Sequence, residues 1–130
     1  MTLTIIETPQ APQAIGPYSQ AVRVANTVYV SGQLPLDPAT GELVKGDIEA
    51  AIRRVFDNLQ AIAKAANGSL ANVATLTVFL TDFGHFPKVN EIMSEYFVRP
   101  YPARVAVAVS QLARGAALEI DCVLALKPAG

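Results

Sequence analysis

Two charged side chains stand where apolar strands are expected. Arg104 follows Tyr101-Pro102-Ala103 and opens the run Val105-Ala106-Val107-Ala108-Val109. Glu119 interrupts Leu118, Ile120, Cys122 and Leu124. A lone charge in an apolar sheet is unfavourable unless it is paired, hydrogen-bonded or neutralised. Arg104 therefore reads in two ways. It is a planar fork for a substrate carboxylate, or it forms an ion pair with Glu119 or Asp121. Glu119 also has two readings. Partial burial would raise its pKa and suit it to hold or activate a water. Otherwise it is a hydrogen-bonded edge residue facing solvent.

Three further residues offer chemistry or plain structure. Tyr18, in the loop Ile15-Gly16-Pro17-Tyr18-Ser19-Gln20, presents a phenolic hydroxyl or packs. Ser31 ends a strand beside Gly32, where backbone can approach a ligand, or it simply forms a turn. Asn90 lies near the start of a helix and is either a site group or a solvated surface residue. Ser19, Ser69 and Ser110 have no nearby histidine to make them nucleophiles, and His85 reads as a helix-start residue. One histidine and one cysteine, far apart, give no metal-ligand spacing. There is no phosphate loop or dinucleotide fingerprint.

The elements that must position these residues follow from periodicity. Thr4 to Thr8 reads as a short edge strand stopped by prolines. Ala21 to Val24 and Val28 to Ser31 read as strands joined at Ala25-Asn26-Thr27, followed by a loop to Glu42. Asp47 can cap a helix whose apolar stripe is Ile48, Ala51, Ile52, Val55, Leu59, Ile62 and Ala63, ended by Asn67-Gly68. Asn72 to Thr81 is a β-branched strand. Phe83 to Val98 is a second helix with Pro87 in its first turn and Phe86, Val89, Met93 and Phe97 on one face. Arg99 to Pro102 is extended. The last two apolar runs, Val105 to Val109 and Leu118 to Leu124, read as an antiparallel hairpin carrying Arg104 and Glu119 on adjacent strands.

The order β-β-β-α-β-α-β-β, closed by an antiparallel hairpin, implies a mixed sheet. Strands flanking a helix are expected to pair in parallel through a right-handed crossover. Two helices can cover one face only, yet the strands at 74–80 and 105–109 are apolar on both faces. A sheet apolar on both faces needs two covers. The second is expected to be another copy of the chain, packed sheet to sheet.

The 130 residues read as one domain, 1–130, without repeats or linkers. A hydrophobic content of 52% is rich for a monomer of this size and agrees with a subunit interface. A net charge of -1 gives no bulk attraction to nucleic acid or anionic membrane. Cys122 reads as an inert buried thiol, and the simplest compartment is a reducing cytoplasm. Met1 to Pro12 carries no secretory pattern, and no apolar stretch is long enough to span a bilayer.

Six motifs occur together and in register. They are Ile-Gly-Pro-Tyr-Ser-Gln-Ala (15–21), Val-Ser-Gly-Gln (30–33), Thr-Val-Phe-Leu-Thr-Asp (77–82), Phe-Pro-Lys-Val-Asn (86–90), Pro-Ala-Arg (102–104) and Leu-Glu-Ile (118–120). With them the whole chain resembles the RidA/YjgF family, also called L-PSP endoribonucleases or translation inhibitors. The resemblance implies a chorismate-mutase-like α+β fold, assembled as a homotrimer with clefts between subunits. It implies hydrolysis of reactive 2-imino acids, or their enamine tautomers, to 2-keto acids and ammonia, with no cofactor. By resemblance Arg104 binds the substrate carboxylate and Glu119 stands near the attacking water. Tyr18 and Ser31 line the cleft, with Tyr18 counted among the catalytic groups, and Asn90 matches a further family asparagine.

The sequence departs from the family after the arginine. Val105-Ala106 replaces the common Ser-Cys or Ser-Thr, and the thiol or hydroxyl is lost at Ala106. A substrate contact made by its backbone would keep activity, whereas one made by the side chain would lower activity or change substrate preference. Ala108 replaces a position that is often acidic, and Leu112-Ala113-Arg114-Gly115 departs from the common Leu-Pro-Lys turn. Two other functions follow from different premises. One is a non-catalytic module that binds small carboxylates in the same cleft. The other is the ribonuclease or translation inhibitor of the older family name, which the absence of a basic patch and of a histidine pair argues against.

Overall fold

Apolar periodicity dictates most of the elements. The computed structural model describes residues 2–128. In chain order it contains β1 (Leu3–Ile6), β2 (Ala21–Val24), β3 (Thr27–Gln33), α1 (Ile48–Ala65), β4 (Val73–Leu80), α2 (Phe86–Tyr96), β5 (Ala103–Ala108) and β6 (Leu118–Ala125). The sequence pattern starts the first strand one residue later and ends it two residues later, and it gives α2 a longer span. The start of that span, Phe83–His85, is a 3-10 turn capped by Asp82, and the helix ends at Tyr96.

Helix α1 forms as its sequence dictates. The Asp47 carboxylate accepts a hydrogen bond from the Ala50 N–H at 3.1 Å, closing the first turn. Ile52, Val55, Phe56, Leu59 and Ile62 are buried along one side. Asn67, in left-handed backbone (φ 64°), ends the helical segment. Each large apolar side chain removed from water stabilises the fold by roughly 1.5–3 kcal/mol.

The sheet order is β1-β2-β3-β6-β4-β5. Strands β4 and β5 pair in parallel across the α2 crossover, and the other neighbouring pairs are antiparallel, so the sheet is mixed. The terminal hairpin does not form. β5 and β6 run in opposite directions, but β4 lies between them, bonded to both. The connection 109–117 passes the end of β4, where Val109 N–H donates to Leu80 O and Thr81 N–H donates to Ala117 O. Likewise β3 and β4, on either side of α1, are separated by β6. Strand periodicity reports which face a residue takes, and it leaves open which strand lies alongside.

Both helices pack on one face of the sheet. Val28, Val30, Leu76, Val78, Leu80, Leu118, Ile120 and Leu124 point into that layer and are buried with α1 and with Val89 and Ile92 of α2. The opposite face carries Leu3, Ile5, Tyr29, Val105 and Val107, which are exposed in the single chain. Cys122 is buried on the helical side, and burial, with the Asp121 charge as the smaller cause, pushes its thiol up to about 12. No helix among the described residues is long and apolar enough to cross a membrane.

Candidate active site

The sheet register decides where each candidate side chain points. Arg104 is aligned with Leu76, and Leu76 with Cys122, both buried under the helices. Glu119 is aligned with Phe79, and Phe79 with Val107, on the open face. Arg104 and Glu119 therefore project from opposite faces. No carboxylate pairs with Arg104 among the described residues, so the ion-pair reading fails on geometry.

Arg104 is instead positioned by α2. Its Nη1 donates to Asn90 Oδ1 at 2.6 Å and approaches Met93 Sδ at 3.6 Å. The guanidinium carbon lies 4.9 Å from the centre of the Phe86 ring, in cation–π contact. Phe86, Asn90 and Met93 sit four and three residues apart and so share a helix face. Nε and Nη2 have no partner among the described residues, which leaves one edge of the fork for a carboxylate. Asn90, Met93, Ser94, Tyr101, Pro102 and Arg104 line a cavity of about 350 Å³.

Ala106 lies next to Arg104 on the same side of β5, aligned with Val78. Strand β5 is the sheet edge. In a parallel ladder alternate residues bond to the partner strand, and Val109 N–H donates inward to Leu80 O. The odd-numbered residues of β5 thus bond to β4, while the amides and carbonyls of Arg104 and Ala106 point outward from the edge. Among the described residues the Ala106 N–H has no partner, and it offers a donor beside the guanidinium whatever the side chain at that position.

A second cavity, of about 550 Å³, gathers Tyr18, Ser31, Gly32, Arg114 and Glu119. Glu119 is half-buried on an interior strand, which overturns its reading as an edge residue. Burial raises its carboxyl above the ordinary 4.5, and the Asp121 charge adds to the shift. The β3–β6 register is irregular between Val30 and Gln33, beside this carboxylate, and such irregularities re-aim strand side chains. Gly32 leaves room there: a Cβ would collide with the carboxylate and lie 2.9 Å from Glu119 Cδ.

The Tyr18 loop is tied down by a residue the sequence reading passed over. Gln20 is buried, its Oε1 accepts from the Thr8 N–H at 2.7 Å, and its Nε2 donates to the carbonyls of Thr8, Ala11 and Pro12. A polar residue directly before an apolar strand was the available signal. Gly16 turns the chain at φ 128°, and the Tyr18 N–H donates back to Gly16 O at 2.9 Å. Tyr18 stays exposed at the mouth of the cavity. Ser31 commits its hydroxyl proton to Ser19 O at 2.6 Å, so towards a ligand it is an acceptor. Asn58, fully buried, donates to Leu34 O and Leu36 O and holds the next loop of the wall.

The structure thus brings Tyr18, Ser31 and Glu119 together and places Arg104, Asn90 and Ala106 together, but keeps the two groups apart within one chain. Among the described residues no three His, Cys, Asp or Glu side chains converge as metal ligands.

Known proteins share this arrangement of elements. The sequence profile of the endoribonuclease L-PSP family matches residues 8–126. A RutC family protein of Pyrococcus abyssi is 48% identical over 123 residues, covering 95% of this chain and 97% of its own. A 2-iminobutanoate/2-iminopropanoate deaminase of Dermatophagoides farinae is 42% identical over 123 residues, covering 95% and 96%. The crystal structure of RidA from the Antarctic bacterium Psychrobacter sp. PAMC 21119 superposes with a TM-score of 0.91 at 47% identity, covering 95% of this chain and 99% of that one.

Proposed function

The chain belongs to the endoribonuclease L-PSP (RidA/YjgF) family, and we propose that it hydrolyses 2-imino acids such as 2-iminobutanoate and 2-iminopropanoate to 2-keto acids and ammonia. The observation that carries the proposal is the free edge of the Arg104 guanidinium, backed by Asn90, Met93 and Phe86. A planar fork with a neighbouring outward amide, that of Ala106, suits a carboxylate attached to a reacting carbon. The name of the Dermatophagoides relative supports the same reaction.

The two half-sites need each other, and a second copy of the chain is the economical way to join them. The free edge of β5 and the exposed apolar face of the sheet would then meet the Glu119 cavity of a neighbour, in a homotrimer with sites between subunits. Arg104 of one subunit would hold the carboxylate. A water near Glu119 of the next would attack the iminium carbon, which is already electrophilic, so positioning supplies much of the catalysis. The new C–O bond forms as the C=N electron pair moves to nitrogen, and Glu119 takes the proton released by the water. Returned to nitrogen, that proton makes ammonia the leaving group. The C–N bond breaks as the hydroxyl collapses to the ketone, and its proton leaves with ammonia as ammonium. Tyr18 closes the mouth of the cavity, and Ser31 offers an acceptor to the imine N–H.

The test is ammonia release from freshly generated 2-iminopropanoate or 2-iminobutanoate. The parent is expected to accelerate it and Arg104→Ala to lose nearly all of the acceleration. Equal rates for the two would remove Arg104 from the mechanism. The methyl group at Ala106, in place of a thiol or hydroxyl, favours a second reading as a non-catalytic carboxylate-binding module. Calorimetry that detects 2-oxobutanoate binding in a protein that turns over neither imine would support that reading.

A further inference from the structure

Arg114 is not used by the reaction as drawn. It occupies left-handed backbone (φ 62°, ψ 14°) in the turn Ala113–Gly115, a conformation that an arginine adopts reluctantly. The turn thereby directs a long cation to the wall that holds Glu119. Its Nη1 donates to Gly41 O at 3.0 Å, which anchors the guanidinium to a loop 73 residues away. No carboxylate lies within ion-pair distance of it among the described residues. Arg114 lines the same cavity as Tyr18, Ser31 and Glu119.

We propose that Arg114 is a specificity-determining residue that receives a second carboxylate, at the far end of the substrate chain, so that the preferred substrates are dicarboxylic 2-imino acids. The proposal rests on the imine-hydrolysis reading above. With the carboxylate next to the imine held by Arg104 and the imine carbon near Glu119, the rest of the substrate chain faces the remaining wall. A cavity of about 550 Å³ has room for more than the short chain of a four-carbon monocarboxylic imine. A second anion placed there without Arg114 would meet the Glu119 carboxylate alone and be repelled. An anchored guanidinium offsets that charge and offers paired donors to the incoming carboxylate.

The experiment compares kcat/KM for the five-carbon dicarboxylic 2-imino acid with that for 2-iminobutanoate, each generated in the assay from its amino acid. The parent is expected to favour the dicarboxylic imine. Arg114→Asn keeps a residue that tolerates the left-handed turn and is expected to lower the ratio roughly tenfold or more, the effect of a lost charged hydrogen bond. Arg114→Lys, which keeps the charge, is expected to restore part of it. A second measurement does not depend on a folded variant. In calorimetry on the parent, the five-carbon dicarboxylic 2-oxo acid should bind more tightly than 2-oxobutanoate. Turnover of both imines with a ratio that Arg114→Asn leaves unchanged overturns this inference and leaves imine hydrolysis standing, as does tighter binding of the monocarboxylic acid. Turnover of neither imine by the parent overturns both.

Discussion

Glu119 carries the sharpest expectations because its environment bears on rate and stability separately. Burial, with Asp121 second, lifts its carboxyl above 4.5. The folded chain therefore favours the protonated carboxyl more than the unfolded chain does. That contribution to stability is full below the ordinary value and is lost as pH rises through the elevated one. Glu119→Gln removes the loss, so at neutral pH it should melt no lower than the parent, with the difference closing below pH 4.5. In the proposed role of base in imine hydrolysis Glu119 must be ionised. The kcat/KM profile should then fall on the acid side with a midpoint above 4.5. The variant should lose roughly 10²–10⁴-fold in rate together with that limb. A limb that survives the substitution would assign it to another group. Gly32 tests the same geometry from the opposite strand. A methyl group there meets the end of the Glu119 side chain, with Cδ at 2.9 Å and Cγ at 3.1 Å. Gly32→Ala should turn the carboxylate away and depress turnover with little effect on thermal stability, because the displaced atoms end a flexible side chain.

At the scale of elements, Gln20 joins the first loop to the sheet. It makes four hydrogen bonds with backbone groups of Thr8, Ala11 and Pro12 from a buried position. Gln20→Ala should cost about 1–3 kcal/mol, since buried polar groups lose their partner. It should also raise KM more than it lowers kcat, because the Tyr18 loop loses its anchor. Chemical denaturation and steady-state kinetics on one preparation separate the two effects, and an unchanged KM would confine Gln20 to folding. The elements themselves were largely legible. Apolar stripes at helical spacing mark α1 and α2, Asp47 and Asn67 mark the ends of the first, and alternation marks the strands. The neighbours of β5 and β6 were not legible. Two apolar runs joined by nine residues look like a hairpin, yet the strand inserted between them comes from much earlier in the chain. That non-local pairing also decides the site. With β4 inserted, the register sends Arg104 under α2 and Glu119 to the open face. The residue types of the candidate site could be read from sequence, while the placing of Arg104 and Glu119 on opposite faces of the sheet required the register.

At the scale of the whole molecule, that placing and the exposed apolar face make one argument. Val105 is 56% exposed, Tyr29 50% and Leu3 57%, on the face no helix covers. Apolar residues gathered on one face are what the proposed subunit interface would cover. A charge placed in it, Val105→Glu, should yield a smaller species in analytical ultracentrifugation and lose imine turnover with it, although Val105 points away from Arg104. Complementation tests whether the halves meet across subunits. Arg104→Ala and Glu119→Gln each lack one half-site and should be inactive alone. If a site takes Arg104 from one subunit and Glu119 from the next, mixed oligomers contain some intact sites. With equal, random exchange, both halves are intact at about one quarter of the interfaces in a cyclic assembly. Turnover should therefore return to about that fraction of the parent after the two variants are dissociated and reassembled together. If both halves act within one chain, no mixture recovers activity, because every chain lacks one of them.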